Sequence, residues 1–161
     1  MQFCFRVQLN VNCGGLHGEA LYFDTEGNFR DSRIIEMAQN YFSSTTKTPN
    51  LLRFKTNEVL TRIHVRRITS VHDLCNNILS GHLDSFLAAH INVRLFILDG
   101  IAYPFRYDCP YSKNKRMHLL ELIACKLKQI ARERNVAVSH NARKLILYLT
   151  FVYCRFSLQI K

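Results

Sequence analysis

One short run of apolar residues limits the folds open to this chain more than any other feature. Residues 93–99 read VRLFILD, and four consecutive apolar residues precede Asp99 and Gly100. Such a run is far too short to span a membrane as a helix, and it is typical of a strand that is covered on both faces. Strands of this kind belong to parallel sheets with helices on both sides. The chain therefore predicts a layered α/β fold.

Segments with helical periodicity alternate with short strand-like runs along the chain. The spacing of apolar residues predicts strands at residues 20–23, 62–68, 93–99 and 136–138, and helices at residues 31–42, 70–90 and 114–135. Ser70 is placed to cap the helix that follows it, and Gly81 is expected to weaken that helix. This order predicts a mostly parallel central sheet flanked by helices.

The two ends of the chain are harder to interpret from pattern. Residues 1–12 alternate apolar and polar positions, which by itself predicts a strand. Residues 139–161 combine apolar and aromatic residues with Lys and Arg, and residues 145–154 are the longest apolar run. That run has about half the length of a membrane-spanning helix, so we expect a buried strand and no membrane contact.

Composition is that of a globular protein with an anionic partner. The 161 residues are enough for one domain, 48% of them are apolar, and the formal net charge is +10. That charge favours nucleic acid or a nucleotide over a membrane as partner. The six cysteines and seven histidines lack the close spacing of metal ligands. We expect free thiols and no structural metal.

Acidic residues follow two of the predicted strands. Asp24 and Glu26 follow residues 20–23, and Asp99 ends residues 93–99. In an open α/β sheet, ligands bind at the carboxyl ends of the strands. Two acidic clusters there can hold a magnesium ion and position a water molecule, as nucleotide hydrolysis requires. Either cluster taken alone is more commonly a solvated turn, so both interpretations stay open.

The segments ALYFDTEGNFRDSRII and VRLFILDGIAYPFR resemble the corresponding parts of RecA/RadA-type homologous-recombination ATPases of eukaryotes. The similarity is greatest to the C-type paralogue of the strand-exchange recombinase, and it covers residues 1–138. It implies a RecA-like P-loop NTPase core. Residues 139–161 resemble nothing in that family, and we treat them as a divergent tail. The resemblance also implies a helix, rather than a strand, at residues 1–12.

The resemblance assigns roles to individual residues. Glu26 matches the glutamate that polarises the attacking water, and Asp99 matches the aspartate of the magnesium site. Arg33 matches the arginine that packs over adenine, although an exposed arginine is the simpler interpretation of its sequence context. The implied cofactors are ATP and magnesium. The implied partners are DNA and other recombinase paralogues, and the implied location is the nucleus.

The same comparison places a first DNA-binding loop at residues 105–116. Its basic residues are candidates for contacts with the DNA backbone: Arg106, Lys113, Lys115 and Arg116. Without the resemblance, these residues would be read as a basic loop that leads into a helix.

One family motif is absent from the 161 residues. The phosphate-binding loop needs Gly-x-x-x-x-Gly-Lys followed by Ser or Thr, and this sequence has no Gly-Lys dipeptide. We therefore expect an incomplete, truncated core that is marginally stable or depends on a partner, and no ATPase activity of its own. Two alternatives stay open. One is a non-catalytic interaction fragment that binds paralogues or DNA without nucleotide. The other is a basic α/β domain that binds nucleic acid through residues 62–67 and 113–116.

Overall fold

A computed structural model describes residues 1–45, 58–107 and 109–141. Its centre is a four-stranded sheet in the order β2-β1-β3-β4, and all neighbouring strands are parallel. The strands are β1 (Glu19–Asp24), β2 (Ile63–Arg67), β3 (Val93–Asp99) and β4 (Ala137–Asn141). The predicted parallel α/β sheet is thus confirmed.

Helices cover both faces of this sheet. They include α1 (Gln2–Arg6), α2 (Asp31–Thr45), α3 (Val71–Leu79), α4 (His82–Ala89), α5 (Ala102–Tyr107) and α6 (Lys113–Arg134). Within the described part of the chain, no helix has the length and hydropathy needed to cross a membrane.

The alternation of side chains along the strands divides the core in two. Leu21 and Phe23 of β1 pack with Phe96 of β3 against the apolar faces of α3, α4 and α6. Ala20 and Tyr22 point to the opposite face, where α1 and α2 cover them. Asp24 is two residues beyond Tyr22, so it extends toward the same side as that tyrosine.

The alternating pattern at the amino end is misleading, because residues 2–6 are helical. Cys4, Phe5 and Val7 are all buried in the core on the α2 side of the sheet. A strand would direct the adjacent Cys4 and Phe5 to opposite faces, whereas a helix directs both toward one. The helix implied by the family resemblance is confirmed here.

Residues 70–90 form two helices, so the prediction of one continuous helix is wrong. Ser70 caps α3 as expected, and its hydroxyl oxygen accepts a hydrogen bond of 3.0 Å from the Asp73 N–H. Gly81 has a φ of 85°, a left-handed conformation that ends one helix and starts the next. The predicted weak point is a complete break.

The resemblance places a DNA-binding loop at residues 105–116. Residues as far as Tyr107 belong to α5, and Lys113 already begins α6. Residues 109–112, between these two helices, are not helical. The predicted strand at 145–154 and part of the polar stretch at 43–50 lie outside the described residues.

Candidate functional site at the carboxyl edge of the sheet

The sheet brings three charged residues into one row at the ends of neighbouring strands. Asp24 of β1 is in register with Arg67 of β2 on one side and with Asp99 of β3 on the other. The predicted meeting of the two acidic strand ends therefore occurs, although the residues are far apart in sequence. Arg67 joins them because β2 is the other neighbour of β1.

Asp24 is a structural acceptor for the turn that follows β1. Its Oδ1 accepts hydrogen bonds from the N–H groups of Gly27 at 2.7 Å and Asn28 at 3.1 Å. Its Oδ2 accepts a third, from the Phe29 N–H at 3.3 Å. The residue is only 5% exposed. Because the buried carboxylate is already occupied by backbone donors, its role is to hold residues 24–29 in one conformation.

Arg67 supports the same turn from the neighbouring strand. Its Nη1 lies 3.3 Å from Asp24 Oδ1. The guanidinium covers Gly27, where an added Cβ would lie 3.1 Å from Nη1. The positive charge of Arg67 thus balances the buried charge of Asp24.

Thr25 ties this turn to the end of β3. The Thr25 N–H donates to the Asp99 carbonyl oxygen at 3.3 Å. The Thr25 Oγ1 atom lies 2.7 Å from the carbonyl oxygen of Asp99 and 2.8 Å from the carbonyl oxygen of Gly100. The side chain is fully buried. As a result, the turn that carries Glu26 has a fixed position relative to Asp99.

The exposed Glu26 side chain extends across Gly100, the residue directly after Asp99. A Cβ on Gly100 would lie 2.6 Å from Glu26 Oε1, so a side chain there would displace the carboxylate. The other oxygen, Oε2, accepts a hydrogen bond of 3.0 Å from the Asn28 Nδ2 group. Glu26 and Asp99, both predicted site residues, therefore lie at the same edge of the sheet.

Asp99 is held by a buried tyrosine. The Tyr22 hydroxyl donates a hydrogen bond to Asp99 Oδ2, and the Tyr22 ring packs against Phe29 with centroids 5.0 Å apart. Burial and the bond to the Asp99 carboxylate both raise the pKa of the Tyr22 phenol. The hydroxyl therefore stays protonated and remains a donor to Asp99 at neutral pH.

Arg33 lies in the first part of α2, on its exposed side. It forms an ion pair of 3.3 Å with Glu36, and the two side chains are 63% and 60% exposed. Exposed pairs of this kind contribute little to stability, so Arg33 can change partner at small cost. Its contact with adenine stays a prediction.

The four candidate DNA contacts are distributed over two helices. Arg106 is exposed in the last turn of α5, while Lys113, Lys115 and Arg116 lie at the start of α6. Lys115 Nζ lies 4.2 Å from the centroid of the Tyr111 ring, a cation–π contact. Contact between these residues and DNA stays a prediction.

The acidic residues fit magnesium only in company with a nucleotide. Among residues 1–45, 58–107 and 109–141, no group of three or more His, Cys, Asp or Glu could hold a metal ion. Magnesium is usually bound by one or two carboxylates together with phosphate oxygens and waters. Asp99 provides one such carboxylate. The sequence has no Gly-Lys dipeptide from which a phosphate-binding loop could be built, so a contact with nucleotide stays a prediction.

Sequence reasoning missed Tyr22, Thr25 and Arg67 as parts of this site. Tyr22 belongs to the apolar run of β1, so its pattern indicates core packing and not a contact with Asp99. Its position two residues before Asp24, on the same face of the strand, was a usable signal. No signal existed for Arg67, since its register with Asp24 depends on the order of the strands.

A cavity of about 410 Å³ lies elsewhere, between β2 and the helices α3 and α4. Asn77, Leu83 and Phe86 line it on the helical side, and Val65 lines it on the strand. Asn77 is 1% exposed, yet its Oδ1 has no hydrogen-bond partner among the described residues. We call this space the β2 cavity. Residues 64–66, part of the segment 62–67 that the alternative interpretation assigns to nucleic-acid binding, line it, whereas Glu26, Arg33 and Asp99 do not.

Comparison with known proteins agrees with this geometry. The model of the Rad51 family matches residues 1–144. DNA repair protein RAD51 homolog 3 of Cricetulus griseus is 31% identical over 148 residues, which cover 86% of this chain and 40% of that protein. The protein of the same name from Dictyostelium discoideum is 30% identical over 149 residues, covering 85% of this chain and 37% of that protein.

An archaeal protein matches to the same degree. DNA repair and recombination protein RadA of Aeropyrum pernix is 31% identical over 146 residues, covering 85% of this chain and 40% of that protein. The chain thus spans about two fifths of the length of these curated relatives. The predicted similarity to RecA/RadA-type recombinases and to the C-type paralogue is confirmed, and the chain belongs to the Rad51 family.

Proposed function

We propose that this chain is the nucleotide-site core of a recombinase paralogue that acts in DNA repair by homologous recombination in the nucleus. The observation that carries the proposal is the position of Glu26 against Gly100, directly beside Asp99. A glutamate and a strand-terminal aspartate at one edge of a parallel sheet suit an enzyme that activates water next to a metal-bound phosphate. Family membership supports the same assignment.

Each residue of the site has a role in this proposal. Asp99 provides a magnesium ligand, and Tyr22 orients its carboxylate through the hydroxyl donor. Glu26 accepts a hydrogen bond from the attacking water and aligns it, while Asn28 steadies the carboxylate. Arg33 packs over the adenine ring. Magnesium, when bound with ATP, neutralises charge on the phosphate oxygens.

The proposal includes DNA and other recombinase paralogues as partners. The net charge of +10 and the basic residues Arg106, Lys113, Lys115 and Arg116 suit contact with a phosphate backbone. The archaeal relative is named a DNA repair and recombination protein, which supports the same partner.

A second candidate function is docking without nucleotide, and the β2 cavity favours it. This cavity adjoins a strand at the edge of the described sheet, and the neighbouring Val65 side chain is 46% exposed. In this alternative, the chain binds a paralogue as a non-catalytic module.

Co-purification separates the two functions. The tagged chain is incubated with recombinase paralogues, with and without ATP and magnesium, and capture is measured for the wild type and for Asp99→Asn. Glu133→Gln, an exposed change late in α6, is the control. If ATP increases capture and only Asp99→Asn abolishes that increase, the nucleotide site is supported. Capture that is unchanged by ATP and by Asp99→Asn supports docking. If no paralogue is captured under any condition, both functions are contradicted.

A further inference from the structure

We propose that Thr25 is a positioning residue that couples α5 to the turn carrying Glu26, so that a displacement of α5 changes the position of the Glu26 carboxylate. The inference rests on the proposed function, because it describes how that site is regulated. Thr25 is fully buried and directly precedes Glu26 in the chain. It therefore lies between the proposed carboxylate and the connection that leads from β3 to α5.

The Thr25 hydroxyl has one proton and two acceptors within reach. Its oxygen lies 2.7 Å from the Asp99 carbonyl oxygen and 2.8 Å from the Gly100 carbonyl oxygen. A hydroxyl group has a single hydrogen to donate, so the two carbonyl groups compete for it. The hydroxyl thus has two arrangements available, one bonded to the end of β3 and one bonded to the connection that follows.

Both acceptors also take part in other hydrogen bonds. The Asp99 carbonyl oxygen accepts the Thr25 N–H at 3.3 Å, and the Gly100 carbonyl oxygen accepts the Tyr103 N–H at 2.8 Å. The Tyr103 bond lies at the start of α5. A carbonyl oxygen has two lone pairs, so the Thr25 hydroxyl and the first bond of α5 meet at one oxygen atom. A shift of α5 therefore changes the geometry of the Thr25 bond.

Close packing extends the same displacement to Glu26. A Cβ built on Gly100 would lie 2.6 Å from Glu26 Oε1 and 2.7 Å from Thr25 Oγ1. Because interiors packed without free space transmit strain, Gly100 cannot approach the turn without moving these two side chains. The hydroxyl bond and the steric contact thus act on the same turn.

α5 has one face in the core and another open to a partner. Pro104 and Phe105 are buried, whereas Arg106 and Tyr107 are exposed. A contact on the exposed face would therefore displace a short helix whose first turn is bonded to Gly100.

Hydrogen exchange in the folded chain, without nucleotide or partner, tests the coupling. Coupling between two sites is reciprocal, so a change made in the turn must also be felt at α5. Asp24→Asn is the change, because the Asp24 carboxylate holds the turn through backbone N–H groups that include the Phe29 N–H at 3.3 Å. Since the assay uses no ligand, its failure would remove the coupling and leave the proposed function standing.

Three amide groups are compared in each sample. The Phe29 amide reports on the turn, the Tyr103 amide reports on α5, and the Leu74 amide, bonded to the Ser70 carbonyl oxygen at 3.0 Å in α3, is the reference. We expect Asp24→Asn to accelerate exchange at Phe29 and at Tyr103 about tenfold relative to Leu74.

Two variants of Thr25 identify the group that carries the coupling. Thr25→Val removes the hydroxyl and keeps a branched side chain of similar size. In that background, we expect Asp24→Asn to accelerate exchange at Phe29 and no longer at Tyr103. Thr25→Ser keeps the hydroxyl, and it is expected to transmit the change as the wild type does. The comparison of Asp24→Asn with the wild type needs no Thr25 variant, so it tests the coupling even if Thr25→Val does not fold.

The proposal is overturned if Asp24→Asn leaves exchange at Tyr103 unchanged, whatever happens at Phe29. Equal acceleration at Phe29, Tyr103 and Leu74 would also overturn it, because the opening would then involve the whole chain. Acceleration at Tyr103 that persists in Thr25→Val would show that the Thr25 hydroxyl does not carry the coupling.

Discussion

At the scale of single residues, Asp24 at the end of β1 and Glu26 two positions later differ in what their carboxylates contact. Asp24 is buried and accepts three backbone N–H donors, whereas Glu26 is exposed and reaches over Gly100. A buried carboxylate stays in place only if donors and a countercharge surround it. Asp24 meets that condition through Arg67, whereas Glu26 needs no such partner because it is exposed.

We expect Asp24→Asn to lower the free energy of unfolding by about 2 kcal/mol, because the neutral amide replaces a carboxylate that accepts several hydrogen bonds. Arg67→Ala should cost about 1 kcal/mol or less, since its side chain is 47% exposed. Urea unfolding followed by circular dichroism measures both. Asp31→Asn removes an exposed charge at the start of α2 and should change stability by about 0.5 kcal/mol at most. Equal losses for Asp24→Asn and Asp31→Asn would contradict the assigned role of Asp24.

Cysteine reactivity is a further test at the residue scale. Burial raises the pKa of the Cys4 thiol from 9.0 to about 11, while Cys13 and Cys125 are exposed. Because the thiolate is the reactive form, the Cys4 thiol has roughly 100-fold less of it at pH 8 than an unshifted thiol. We expect alkylation to modify Cys13 and Cys125 first and Cys4 last, as read by mass spectrometry of peptides. Urea should remove the difference, and early labelling of Cys4 in the folded chain would show that α1 is not packed as described.

At the scale of elements, the site depends on the turn after β1 and the connection between β3 and α5. Thr25 joins the two by bonding to the carbonyl groups at the end of β3. Gly100 is the point of closest approach, with a φ of 82° and no space for a side chain beside Glu26. The connection therefore needs glycine both for its conformation and for contact with the neighbouring turn.

Gly100→Ala and Gly81→Ala separate these two requirements. Both glycines have positive φ, but an added Cβ at Gly81 meets nothing within 4 Å, whereas at Gly100 it meets Glu26 and Thr25. Gly81→Ala should cost about 1 kcal/mol from backbone strain alone. Gly100→Ala should cost a further 1–3 kcal/mol or so, because the turn must move. The measurement is the urea midpoint of each variant, and equal losses would mean that the β1 turn does not rest on Gly100.

At the scale of the whole molecule, the sheet assembles the carboxylate site from segments that are distant in the chain. Asp24, Arg67 and Asp99 come from β1, β2 and β3, and their alignment follows from the parallel order of the strands. The helices on the two faces hold that order by burying Leu21 and Phe23 on one side and Ala20 and Tyr22 on the other. The positions of these charged side chains relative to one another are thus a property of the fold and not of any one segment.

The 161 residues assayed alone should show no ATP hydrolysis. Stabilisation of the transition state in phosphoryl transfer depends on groups that surround the phosphates, and this sequence has no Gly-Lys dipeptide to form a phosphate-binding loop. Release of phosphate from ATP with magnesium measures this directly. Turnover that depends on magnesium and is abolished by Glu26→Gln would contradict the prediction.

The order of strands and helices, the cap at Ser70 and the two acidic strand ends were all predictable from sequence. Each depends on local periodicity or on the chemistry of adjacent residues, which a linear chain displays. The resemblance to a recombinase family added the helix at the amino end, where alternation alone was misleading. The predicted roles of Glu26, Asp99 and Arg33 also came from that resemblance.

Other features depend on distances that a linear sequence does not contain. Strand order and register bring Arg67 to Asp24, turn Tyr22 toward Asp99 and place Glu26 over Gly100. The residues in these contacts are 43 to 77 positions apart in the chain. The packing of the two core layers against the sheet sets the distances between them. Sequence pattern therefore predicted which elements form and which acids end them, whereas packing decided that Asp24 holds the turn and Glu26 faces the solvent.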